Sequence, residues 1–371
     1  SPRVAYGLAT KIFLGMIKVY HGLKFEASPR AWATYPILEA ARAATRHFWY
    51  NSETMNKTYT RREFIKLAAL SLGSLAFRPF APQKARNETG FVVRVAAASV
   101  SVYAQPDDTS RIVQQRYRDE LVNVYHEVIS EKGPGYNPVW YRVWGGYMHS
   151  ARLQTVREQL NPVVERIPAA GLLAEVSVPY TQAYMPGPRD TWAEVYRLYC
   201  DTLHWVIALD EGPDGGPWYR LKDELNDAEY HVPAEHLRIV RPEEMSPLAV
   251  DVPPEKKRIE VSIEKQMMWA YEEDRLVFST KVSTGVLKRD RSINGIPTAT
   301  PVGEFRVISK MPSKHMGGGQ LTNDLEAYVL PGVPWTPFFD GTGVAFHGTY
   351  WHTNYGMTMS RGCVNLRPEE A

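Results

Sequence analysis

Twice in this chain a Trp-Tyr-Arg strand is set between the same kinds of turn. Trp140-Tyr141-Arg142-Val143 stands beside Trp218-Tyr219-Arg220-Leu221. Each follows a strand-like run with a tyrosine and a proline turn (SVSVYAQPDD; QAYMPGPRD) and then a strand pair (ELVNVYHEVI; LHWVIALDE). Each closes on a matching segment, YMHSARLQTV or YHVPAEHLRIV. Self-similarity over such a length marks one folding unit made twice. Short apolar runs divided by Gly, Pro and Asp read as strands joined by tight turns, which places the copies at residues 91–157 and 172–240. The 27 prolines, 26 glycines and 12% aromatic residues extend that reading to the whole chain. Pro and Gly interrupt helices, and aromatics suit pleated, half-buried surfaces, so a mainly β fold is expected.

The repeated unit resembles bacterial SH3-like domains, which are small β-barrels. The resemblance implies modules that bind cell-wall glycan or brace a catalytic domain. Trp140 and Trp218 read either as a ligand-stacking surface or as core; in a core so small, buried aromatics are the commoner use. His126, His149, His204, His231 and His236 share no ligand-like spacing, so no metal is expected there.

Residues 1–90 carry 14 Lys/Arg against 5 Asp/Glu, a charge of +9, whereas residues 91–371 carry 29 against 36, or −7. Phosphate binding needs a basic face, so nucleic acid is excluded as partner of the folded part. Residues 1–54 show apolar patches without a sustained period and are left unassigned, with Met55 as an alternative translation start. Residues 55–90 combine a basic start, an apolar stretch from Phe64 to Phe77 and prolines at 79 and 82. That is the make-up of an export signal followed by a linker, too short in apolar residues for a bilayer span. Its segment Thr60-Arg61-Arg62-Glu63-Phe64-Ile65-Lys66 resembles a twin-arginine translocation signal. The expected location is outside the cytoplasm, at the wall, in the periplasm or on the extracellular face, with membrane contact only if the signal is kept as an anchor.

Two cysteines, Cys200 and Cys363, are too few for a disulfide framework. Cys200, inside the run VYRLYCDTLHWVIAL, reads as a small buried hydrophobe. Residues 241–257 are rich in proline and charge and read as a linker. Beyond them alternation returns in RIEVSI, MMWAYEEDRLVFSTKVSTG and TPVGEFRVISK, and an apolar run, GVAFHGT, delivers His347. The stretch from His347 to Asn365 sets that histidine and Cys363 on either side of a glycine- and hydroxyl-rich loop. An imidazole that draws off a thiol's proton makes a strong nucleophile, and N–H groups around Gly362 and Cys363 are placed to converge on an oxyanion.

The order His347-Gly348-Thr349, a loop, then Ser360-Arg361-Gly362-Cys363-Val364-Asn365-Leu366 resembles the signature of the L,D-transpeptidases with a YkuD-type catalytic domain. TPVGEF and the opening IEVSIEKQMMWAYEEDRLVFSTKVSTG are similar to that family's first strands, so the resemblance covers residues 258–371. It implies a β-rich catalytic domain that needs no cofactor and acts on peptidoglycan stem peptides. Such enzymes cleave the bond between the diamino acid and D-alanine of a tetrapeptide through a cysteine thioester, then pass the acyl group to an amine, a lipoprotein or water. Carried over by residue, Cys363 is the nucleophile and His347 the base. Gly348 orients the imidazole through its carbonyl, Gly362 helps to hold the oxyanion, and Ser360 shapes that turn. Arg361 either binds a substrate carboxylate or packs on the surface. Asn365, His352, Tyr350, Trp351 and His315 are candidate substrate contacts. The resemblance also implies a further helix and strand after Arg367–Ala371, so the domain is expected to be cut short there. Two other readings remain open. A papain-like wall peptidase has its cysteine before its histidine, the reverse of the order here, and a non-catalytic wall-binding protein has no use for an intact Cys/His pair.

Overall fold

Valine-rich alternation folds residues 91–156 into a seven-stranded sheet. In hydrogen-bonded order its strands are Ile112–Tyr117, Ser99–Tyr103, Gly146–His149, Val139–Val143, Leu121–Ile129, Phe91–Val95 and Leu153–Val156. In chain order these are the third, second, sixth, fifth, fourth, first and seventh strands. The second unit has the same order: Trp192–Tyr199, Tyr180–Pro186, Glu229–Pro233, Pro217–Lys222, Leu203–Glu211, Leu172–Val176 and Leu237–Ile239. In each unit a three-residue 3-10 turn, Ser150–Arg152 or Ala234–His236, precedes the last strand. The repeat is therefore structural as well as sequential. These observations come from a computed structural model that describes residues 15–21, 90–287 and 298–371.

Each unit has its own core. Val93, Val95, Val102, Val124, Tyr141, Met148 and Leu153 fill the first, and Ala174, Val176, Leu198, Val206, Tyr219, Tyr230 and Leu237 the second. Trp140 is fully buried and Trp218 nearly so, which makes both core residues rather than a stacking surface. Cys200 is also fully buried, and burial pushes its thiol up to about 12, as suits an inert core residue.

The remaining strands, numbered in chain order, are β1 Met16–Tyr20, β2 Lys257–Ser262, β3 Met267–Glu272, β4 Arg275–Lys281, β5 Gly303–Arg306, β6 Ser309–Gly317, β7 Val329–Phe338, β8 Phe346–Gly348 and β9 Val364–Leu366. A five-stranded sheet runs in the order β4-β3-β2-β1-β5. Thus β1, from the region left unassigned by sequence, lies inside this sheet. It pairs in parallel with β2 (Met16 opposite Arg258, Tyr20 opposite Ser262) and antiparallel with β5. The reason is legible in MIKVY itself: Ile17 and Val19 alternate inward, 0% and 2% exposed, onto a core shared with Val261, Phe346, Val364 and Leu366. The rest of 1–54 and the export-like segment lie outside the described residues.

The strands β6 and β7 form a hairpin, while β8 and β9 pair in parallel with Phe346 opposite Val364, His347 opposite Asn365 and Gly348 opposite Leu366. Among the described residues the protein is mainly β, and no helix is long and apolar enough to cross a membrane.

Candidate active site

The parallel register of β8 and β9 puts His347 directly beside Asn365. Cys363 stands just ahead of β9, two residues before Asn365, and the His347 and Asn365 side chains meet on one face of the strand pair. A directed chain of hydrogen bonds runs through this face. His347 Nδ1 lies 2.9 Å from the Gly348 carbonyl, so that nitrogen carries the hydrogen and Nε2 is bare. Into Nε2 points the Asn365 amide, its Nδ2 at 2.8 Å. Asn365 Oδ1 in turn accepts from His352 Nε2 at 3.1 Å, and His352 Nδ1 accepts the Asn354 backbone N–H at 3.2 Å. Each group has one role consistent with its neighbours, which fixes both histidine tautomers and the direction of the carboxamide.

His347, His352 and Asn365 are 1–2% exposed. Burial pushes both imidazoles down to about 4: the Gly348 carbonyl partly opposes this at His347, and the Asn365 side chain does so at His352. Cys363 keeps some open surface, yet desolvation raises its thiol above the ordinary cysteine range, partly offset by backbone hydrogen bonding to Ala345. Among the described residues no hydrogen bond joins the thiol to His347, whose bare nitrogen is engaged with Asn365. The resting pair is therefore neutral thiol and neutral imidazole.

The turn before Cys363 is built around Ser360, whose hydroxyl donates to the Cys363 carbonyl and accepts the Gly362 N–H at 3.2 Å. Gly362 has φ +119°, a conformation that glycine adopts without strain. Its carbonyl takes the Thr300 hydroxyl at 2.7 Å. The Gly362 N–H is thus turned to Ser360 rather than free for an oxyanion. At Gly348 a side chain has no room: a Cβ would come within 2.8 Å of Pro334 and Pro368.

Other expected site residues are dispersed. The Trp351 ring lies 5.7 Å from the His347 ring and meets Tyr350 edge-on at 4.8 Å. Tyr350 is buried and stacks on Tyr199 of the second unit at 5.5 Å. The Arg361 guanidinium packs over the Tyr328 ring at 4.4 Å, on the exposed side. His315 is not brought to the thiol. Its Nδ1 is 2.6 Å from Asp223 Oδ2 of the second unit and its Nε2 is 2.9 Å from the Gly318 carbonyl, so both nitrogens are committed away from a substrate. His352 and Asn365, expected to touch substrate, are instead wired to the base. Among the described residues the buried Thr349 hydroxyl, two residues after His347, has no partner; the sequence motif contains Thr349 but assigns it no role.

Residues 256–371 match the profile of the YkuD family, described as the L,D-transpeptidase catalytic domain. This segment is an L,D-transpeptidase catalytic domain. Parts of the chain are similar to solved L,D-transpeptidases. A cysteine-to-serine mutant of the Enterococcus faecium enzyme is 28% identical over 31% of this chain and 43% of that one, with a TM-score of 0.25. The E. faecium catalytic domain acylated by ertapenem is 31% identical, covering 31% of this chain and 83% of its own, with a TM-score of 0.23. An L,D-transpeptidase from Mycobacterium smegmatis is 15% identical over 62% of this chain and 82% of that chain, with a TM-score of 0.26. The chain spans less than half the length of the first of these. No curated protein matches it.

Proposed function

We propose that the L,D-transpeptidase domain works through Cys363, forming a thioester with the diamino acid of a peptidoglycan stem tetrapeptide and passing it to an amine of a second stem. The observation that supports this reading most is the tautomer-fixed His347, its Nδ1–H held by Gly348 and its bare Nε2 turned to Asn365, two residues after Cys363.

The Cys363 proton passes to His347 Nε2 as sulfur attacks the scissile carbonyl. Because that lone pair is already engaged, the Asn365 amide must turn aside as substrate enters. With Gly362 turned to Ser360, we assign the oxyanion to the Cys363 N–H. Collapse of the tetrahedral species breaks the C–N bond, and the imidazolium returns its proton to the departing D-alanine amine. The acceptor amine then attacks the thioester, gives its proton to His347 and frees the thiol. Burial keeps the resting pair neutral and excludes water that would hydrolyse the thioester.

Incubating the purified chain with disaccharide tetrapeptide and weighing the products tests this. D-alanine release with dimer formation is expected; D-alanine release without dimer identifies water as acceptor and a carboxypeptidase. Cys363→Ala should lose both activities, and a residual rate above about a thousandth of wild type would contradict Cys363 as attacking group. We further propose export through the Arg61-Arg62 signal, tested by secretion of the Arg61→Lys, Arg62→Lys variant, which should remain in the cytoplasm. Glycan binding by the two β units is a separate proposal, checked by pull-down with purified wall glycan.

A further inference from the structure

The loop that carries Trp351 and His352 is held from outside the catalytic domain. Arg94, on the first strand of the first β unit, is 2% exposed and commits its donors in three directions. Its Nε and Nη2 reach Gln154 Oε1 at 3.0 and 2.8 Å, its Nη1 reaches Asp119 Oδ1 at 2.7 Å, and Nη2 also reaches the Tyr350 carbonyl at 3.2 Å, 256 positions along the chain. Its guanidinium lies 3.9 Å over the ring of Tyr199, the ring on which Tyr350 stacks. Asp119 is shared with Arg197 of the second unit at 2.8 Å, and Gln154 donates to the Cys200 carbonyl at 2.9 Å. Three residues on, the first unit holds the loop again. The Thr353 N–H donates to the Ala151 carbonyl at 3.0 Å and its hydroxyl to the Ser150 carbonyl at 2.7 Å.

Between these two clamps lie only Trp351, against the His347 ring, and His352, which holds the Asn365 carboxamide and so the base. A buried guanidinium with all its neighbours oriented is rigid, and its planar fork bonds several acceptors at fixed angles. We propose that Arg94 is a positioning residue for the Cys363–His347 chemistry: by fixing the Tyr350 carbonyl it fixes the loop from which His352, through Asn365 on β9, sets the imidazole. The first β unit is then part of the catalytic centre rather than an appendage. This rests on the transpeptidase reading above for its kinetic arm but not for its chemical arm.

The test compares the full chain with its Arg94→Met, Arg94→Lys and Thr353→Val variants in three measurements. These are thermal unfolding, kcat and KM on disaccharide tetrapeptide, and the pH profile of Cys363 alkylation by iodoacetamide, read at the Cys363 peptide. Loosening the loop admits water to the thiol, so the alkylation midpoint should move down toward the ordinary cysteine range and alkylation should quicken. At the same time kcat should fall by about ten- to a hundredfold with KM little changed, since misplacing reacting groups by about 1 Å costs that much. Arg94→Lys, which cannot span all three acceptors, should recover only part. If folded variants lose thermal stability but keep wild-type kcat and alkylation profile, Arg94 is a structural ion pair and the proposal falls. If KM rises while kcat holds, it falls in favour of a substrate contact. Should Arg94→Met not fold, Arg94→Lys and Thr353→Val carry the same criteria. If wild type itself turns over no stem peptide, the transpeptidase reading fails while the alkylation arm still decides the role of Arg94.

Discussion

One carboxamide separates His347 from His352, and its direction decides which nitrogen of His347 can act as base. Replacing Asn365 by Asp puts a carboxylate against Nε2, where it favours the imidazolium. The acid limb of kcat/KM, expected near the His347 value of about 4, should then rise by about 1–3 pH units. A limb that stays put would show that Asn365 does not face the working nitrogen. Part of this was legible in the sequence and part was not. His347, Gly348, Ser360 and Cys363 fall within one short stretch, and the resemblance of that stretch to the L,D-transpeptidase signature implies a role for each. Asn365 and His352 lie in the same stretch yet read as substrate contacts, because their relation to His347 depends on the parallel register of β8 and β9. His315 was misread for a plainer reason: its partner Asp223 is 92 positions away.

Strand β1 shows how an element can be hidden although its own pattern is clear. MIKVY alternates as a strand should, but five residues without a neighbouring partner in sequence are indistinguishable from a short apolar patch. Once placed between β2 and β5, it buries Ile17 and Val19 under β8 and β9. Ile17→Ala should cost about 2–5 kcal/mol, measured by denaturant unfolding of the full chain, and an unchanged midpoint would mean that β1 is dispensable. The two repeats were the easier case, since alternation and the Trp-Tyr-Arg strand announced them and the structure gives both the same strand order. Position matters here too. Strand β1 precedes the export-like segment, so a cut beyond that segment would release it from the catalytic sheet. A chain exported as proposed above should retain residues 16–20, covalently or as a bound peptide, as mass spectrometry would show. A shorter exported chain of undiminished stability would contradict this.

At the scale of the whole molecule, the two β units grip the catalytic segment at different places. The first holds the loop after His347; the second holds hairpin β6–β7. There Ser313 donates to the Leu203 carbonyl, Lys314 pairs with Glu224, and His315 with Asp223. Burial pushes the Asp223 carboxyl up, but the His315 hydrogen bond and charge, with the Leu225 and Asn226 N–H groups, hold it below the usual aspartate value. A carboxyl depressed on folding contributes stability above its unfolded value of about 3.9, and that contribution is lost as pH falls through the lower folded value. Asp223→Asn should therefore destabilise by about 3 kcal/mol at pH 7, as for a broken buried pair, and the gap to wild type should close below about pH 3. A gap that persists in acid would assign the loss to packing. None of these contacts was readable beforehand, since each joins residues far apart in sequence whose own patterns say only strand or turn.

The claim on which the rest depends is that Cys363 becomes acylated. Rapid quenching of the full chain with a stem tetrapeptide, followed by intact-mass and peptide mass spectrometry, measures this directly. The account predicts one acyl adduct on Cys363, corresponding to the tetrapeptide less its terminal D-alanine, formed as fast as D-alanine is released. D-alanine release with Cys363 unmodified at every time point, or an adduct on any other residue, would contradict it.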